Sequence, residues 1–230
     1  MPRVILAWFA STRSPSWSAA GARWRAALGA MVAGALASSC GTPASREAAP
    51  GSTSLYIGSL DGGDAKVAVV RDGSRWATYV CGGRDTLSSM TAWFQGSLDS
   101  SRDTTAFEAS AEGKELRASL TLDSVSGTLT VDGAATRFVT SRVSNSSPAG
   151  LFQSASGGCR TGLIVPPAGQ GEPQGVYCAD LRAAGKPTVR IFEQVNPVEP
   201  VTSAEDVVAA RVTGDSAQIL YLAPVSLPLE

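Results

Sequence analysis

Between Leu116 and Asp123 apolar and polar residues alternate without a break: Leu116, Ala118, Leu120 and Leu122 against Arg117, Ser119, Thr121 and Asp123. A period of two puts one set of side chains on each face of an extended strand, so this stretch buries its apolar half only as part of a sheet. Phe107, Ala109 and Ala111 alternate with Glu108 and Ser110 in the same way. Asp72-Gly73 separates the runs 66–71 and 75–81, and Asp132-Gly133 separates 129–131 and 136–140. Asp and Gly both tolerate the positive φ that tight hairpin turns require. Further strands are expected at 54–59, 91–98, 151–154, 161–165, 175–178, 189–192 and 218–222. So many short strands with tight turns predict an all-β fold, an antiparallel sandwich or small barrel, with one short helix near the C-terminus. The helix is placed at 203–211, where Thr202 and Glu205 are spaced as a capping box behind Pro200.

The N-terminal stretch has a different character. Arg23 and Arg25 precede an unbroken small and apolar run, 26–37. As a helix that run would span about 18 Å, too short for a hydrocarbon core of roughly 30 Å. A signal peptide has this arrangement, a basic n-region followed by a short apolar h-region. Leu36-Ala37-Ser38-Ser39-Cys40 resembles the lipobox of bacterial lipoproteins, with Ala37 where that family prefers Leu. The resemblance implies diacylglycerol on the Cys40 thiol, cleavage between Ser39 and Cys40, and acylation of the freed amine. Two or three chains make a stable anchor where one is marginal. An ordinary cleaved leader with Cys40 unmodified, or a retained helix, are the alternatives. Residues 41–52 are small, with Pro43, Pro50 and Gly51, and read as a flexible tether. The expected organisation is a signal peptide at 1–39, lipidated Cys40 and tether at 40–52, and a single β-rich domain at 53–230. Thr42 replaces the Asp that favours inner-membrane retention, so a cell with an outer membrane is expected to send the protein there.

Charge and residue types exclude several activities. Residues 1–39 carry four arginines and no acid, which leaves 15 basic against 20 acidic side chains after Ser39. An acidic body with no basic run repels phosphate backbones, so no nucleic-acid partner is expected. The chain has no histidine. Ser-His-Asp and Cys-His catalysis both need an imidazole, and most zinc sites use one, so no metal or cofactor is expected. Gly214-Asp215-Ser216-Ala217 looks like a serine-hydrolase segment but reads as a turn without His. Lys66, Lys114 and Lys186 show no Ser-x-x-Lys spacing. Asp61-Gly62-Gly63-Asp64 lacks the further oxygens of a calcium loop and reads as a strand connection.

With Cys40 lipidated, Cys81, Cys159 and Cys178 remain, an odd number for an oxidising compartment. Cys159 and Cys178 flank the Pro- and Gly-rich stretch 166–173 as opposite strands of a hairpin would, and are the favoured disulfide. A pair involving Cys81, or reduced thiols, are the alternatives. A leftover Cys81 is expected to be a buried small apolar residue. Trp76 and Tyr79 differ in parity on one strand, so they point to different faces. One is expected in the core and the other partly exposed. Trp76, Tyr79 and Trp93 are therefore candidate partner-binding aromatics, weighed against plain core packing.

The runs 75–81 and 93–96, then Gly127-Thr128-Leu129-Thr130-Val131 with Phe138, Ala149-Gly150-Leu151-Phe152 and Gly162-Leu163-Ile164-Val165-Pro166, resemble a class of small secreted or lipid-anchored β-domains of high-G+C bacteria. The resemblance covers residues 65–166. It implies a meander of strands and no particular activity or substrate. The expected function is a non-catalytic envelope lipoprotein, held at the membrane by its lipid, with a binding or structural β-domain and a protein or glycan partner. A His-independent hydrolase using two carboxylates on envelope polysaccharide, and a lipocalin-like carrier of a small apolar ligand, are the alternatives.

Overall fold

Eight antiparallel strands build a first lobe in two four-strand meanders. The first runs β1 (Ser54–Leu60), β2 (Lys66–Asp72), β3 (Arg75–Cys81), β4 (Ala92–Ser97). The second runs β5 (Ala106–Ala111), β6 (Lys114–Leu120), β7 (Ser124–Val131), β8 (Ala134–Arg142). They join along β1 and β8, where Ile57 faces Ser141, giving the order β4-β3-β2-β1-β8-β7-β6-β5. The computed structural model describes residues 53–98, 105–144, 147–155, 159–182, 184–214 and 218–229. Leader, Ser39, Cys40 and tether lie outside them, as do 215–217 of the Gly214 segment.

The sheet rolls because every strand sends its inward parity into one core. Tyr56, Val67, Trp76, Phe94, Phe107, Leu116, Leu129 and Phe138 come from eight different strands and share one cluster. Eight strands enclose a space that side chains of this size fill. The edges β4 and β5 are bridged by aromatic contact. Trp76 lies over Gly96, and its ring centroid is 4.2 Å from that of Phe107. The tight turns follow the residue types. Asp132-Gly133 has φ 49° and 80°, and Glu112-Gly113 has 52° and 75°, both residues positive as in a type I′ turn. At the β2–β3 connection Asp72 pairs with Arg75, so the loop is Gly73-Ser74 and Gly73 alone is positive.

The second lobe is a closed six-strand barrel. It consists of β9 (Gly150–Ser154), β10 (Thr161–Val165), β11 (Gln174–Leu181), β12 (Val189–Pro197), β13 (Val208–Val212) and β14 (Ile219–Pro224), with β14 returning to β9 where Ala223 meets Gln153. Phe152, Leu163, Val195, Ala210, Val212 and Leu222 fill it.

A third apolar layer joins the lobes. Ile57, Ala68, Val70 and Tyr79 from the outer face of the first sheet pack with Leu151, Ile164 and Val176 of the barrel wall. This layer explains why β6 alternates strictly between buried and exposed whereas residues 76–81 of β3 are buried throughout. The described residues all belong to one compact unit.

The helix expected at 203–211 is a correction. Glu205 N–H donates to Ser203 Oγ (3.1 Å), a local turn, and the chain then enters β13. Ser hydroxyls compete with helix hydrogen bonds in this way, and the β-branched pair Val207-Val208 favours strand. Val208, Ala210 and Val212 bury inside the barrel. The short helix α1 is instead Leu87–Met90, between β3 and β4.

Candidate functional site

The hairpin β10–β11 carries the disulfide. Cys159 lies just before β10 and bonds Cys178 on β11, with Cα atoms 5.6 Å apart. Cys81 is free and fully buried, and burial pushes its thiol up to about 12. A thiol with so little thiolate near neutral pH is a poor nucleophile.

Trp76 and Tyr79 do point to opposite faces, but neither is exposed, and that expectation is corrected. Trp76 is 2% exposed in the first-lobe core, and Tyr79 is 0% exposed in the layer between lobes. The second face of β3 is covered by the barrel, which parity alone does not reveal. Tyr79 O–H donates to Gly162 O (3.3 Å), and burial raises its pKa well above the usual value. Trp93 on β4 is half-buried and stacks on Tyr79 at 4.4 Å between centroids. Arg160 lies over the Trp93 ring, 5.6 Å from its centroid, and also donates to Gln153 Oε1. Gln174 Nε2 donates to Cys81 O and Gly82 O (3.3 and 3.1 Å), fastening β11 to the end of β3. This aromatic cluster is a latch between lobes.

The Asp61–Asp64 stretch is a turn closed by Leu60 N–H donating to Ala65 O (3.0 Å). Asp64 Oδ2 accepts from Arg84 N–H (2.9 Å).

Exposed large apolar side chains occur on both lobes: Leu122 and Val139 on the first, Leu181 and Val189 at one end of β11–β12, and Val198, Val207, Ile219 and Tyr221 along β12–β14. Along β14, Leu220 and Leu222 enter the core, while Ile219 and Tyr221 point out and are 38% and 71% exposed. Tyr221 faces Ala209 across the β13–β14 ladder. Val198 N–H donates to Ala209 O (2.8 Å), which sets Val198 on the other side of the same residue. Val198, Ala209 and Tyr221 thus form a row across three chain segments, with Val207 and Ile219 beside it. Val198 and Val207 are exposed. Two shallow clefts of about 340 and 350 Å³ flank the row and share Val198. A contiguous apolar patch of this kind marks a contact surface more often than isolated exposed residues do.

The first of those clefts holds two acids, Glu199 and Asp206. Both are exposed. The 218–222 strand was legible in the sequence, but Ile219-Leu220-Tyr221-Leu222 is apolar at both parities, so no signal there says which pair faces out.

No family model, curated protein or solved structure matches the chain.

Proposed function

We propose that this chain is an exported lipoprotein held at a membrane through Cys40, and that its β-domain docks a protein partner on the outer face of β12–β14. The observation that carries the docking surface is the row Val198–Ala209–Tyr221 with Val207 and Ile219 beside it. Holding these side chains in water is unfavourable by about 25 cal/mol per Å² of apolar surface, which a partner recovers on binding. Tyrosine set among aliphatic residues, with Arg211 at the side, has the composition of a protein contact. The leader and lipobox of the sequence support the anchor. Among the described residues no helix is long and apolar enough to cross a membrane.

Two measurements test the two halves separately. Cys40→Ser should move the protein from the detergent phase to the aqueous phase, and unchanged partitioning would end the anchor. For the surface, a photoreactive residue at position 221 should give one discrete adduct in intact cells, abolished by Val207→Asp. The same residue at 115, on exposed β6, should give none. An absent adduct at 221, or an identical one from 115, would end the docking surface.

A further inference from the structure

Where β8 hands over to β9, the two lobes leave a cleft of about 480 Å³ between them. Leu55 and Val70 wall it from the first sheet, Leu151 and Val225 from the barrel, and Val143 from the crossing segment. All five belong to the layer that joins the lobes, in which Leu55 and Val225 are only partly buried. The cleft is therefore an end of an apolar core that the described residues leave uncovered. Its walls are tied in place by backbone bonds: Val143 N–H donates to Leu55 O (2.8 Å) and Val225 N–H to Leu151 O (2.9 Å). Its size falls in the range of small-molecule sites.

The charge at the cleft is one-sided. Glu205 is the single charged side chain among its described lining residues, and the remaining polar groups include the hydroxyls of Ser144 and Ser147. Two cations adjoin lining residues in sequence, Arg71 next to Val70 and Arg142 next to Val143; they donate to Gly73 O (2.8 Å) and Ser54 Oγ (3.2 Å), and neither lines the cleft. An anionic head would meet the Glu205 carboxylate, whereas an ammonium would pair with it.

We propose that this cleft is a binding site for a small amphiphile with an apolar body and a cationic head, the body on Leu55, Val70, Leu151 and Val225 and the head beside Glu205. The site is separate from the row on β12–β14 and requires neither the anchor nor a protein partner.

The test uses the full chain carrying Cys40→Ser, titrated with octyltrimethylammonium and with octanoate and followed by ligand-observed NMR. Octyltrimethylammonium should bind saturably, and octanoate up to about fivefold more weakly, the span of one exposed ion pair. Glu205→Gln should erase that preference. Val225→Trp should fill the cleft and abolish binding with the melting temperature unchanged; should it lower the melting temperature, Thr53→Trp at the rim supplies the same readout. Absent saturable binding, octanoate binding as tightly as the cation, or binding that survives the cleft-filling variant at native stability would each overturn the proposal.

Discussion

Gly162 sits where a methyl group has no room. A Cβ there would lie 2.5 Å from Tyr79 Cζ and 2.8 Å from Trp93 Cζ2, inside the stacked pair that latches the lobes. Gly162→Ala therefore has to shift two rings already fixed by burial and by the Tyr79–Gly162 hydrogen bond. Overpacking of this kind costs about 1–3 kcal/mol. The variant should melt at lower temperature and show altered Trp93 fluorescence in the folded state; wild-type stability and emission would remove the latch from the account. At this scale the sequence was half informative. Opposite parity of Trp76 and Tyr79 was legible, because a strand has only two faces. Their shared burial was not, because it depends on which sheet later covers the second face. The outward turn of Tyr221 was equally hidden, since both parities of its strand are apolar.

Among the elements, legibility followed how many faces a strand buries. β6 has one face in a core and one in water, so its alternation was plain. β3 is buried on both faces, so it shows no apolar–polar alternation, and its residue types with the Asp72-Gly73 step identified it. β13 was misread because Thr202, Glu205 and three nearby alanines suit a helix, while the barrel needed a strand to close between β12 and β14. Tertiary closure outweighed a local propensity spanning only tenths of a kcal/mol per residue. The β10–β11 hairpin was legible through its cysteines. Its disulfide spans a sequence separation of 19 residues. By loop-closure entropy such a link contributes roughly 3 kcal/mol. The double variant Cys159→Ala/Cys178→Ala should lose about that much in denaturant unfolding while keeping its strand content by circular dichroism. No loss would show that the hairpin is already fixed by the Tyr79–Trp93 latch and the barrel ladder.

Across the whole molecule, a guanidinium also fastens the two lobes. Arg190 on β12 donates to Asp180 Oδ1 of β11 (2.8 Å) and to Glu112 Oε1, at the β5–β6 turn of the first lobe. Glu112 also lies 3.9 Å from the Nζ of buried Lys114. The hydrogen bond from Arg190 holds the Asp180 carboxyl below its ordinary value, and the same bond raises Arg190. A carboxyl with a depressed folded pKa stabilises the fold above its unfolded value, about 3.9, and that contribution disappears as pH falls through the folded value. Arg190→Met should therefore lower the melting temperature at neutral pH, by less in high salt because the bridge is partly exposed. The difference from wild type should hold down to about pH 5, shrink as pH falls below about 4, and close only below the depressed folded value of Asp180. Unfolding should remain one transition in both proteins, because the apolar layer of Ile57, Ala68, Val70, Leu151, Ile164 and Val176 couples the lobes without the bridge. A gap that stayed constant to pH 2, or a variant that melted in two steps, would mean that Arg190 acts by packing in the first case and that it alone couples the lobes in the second.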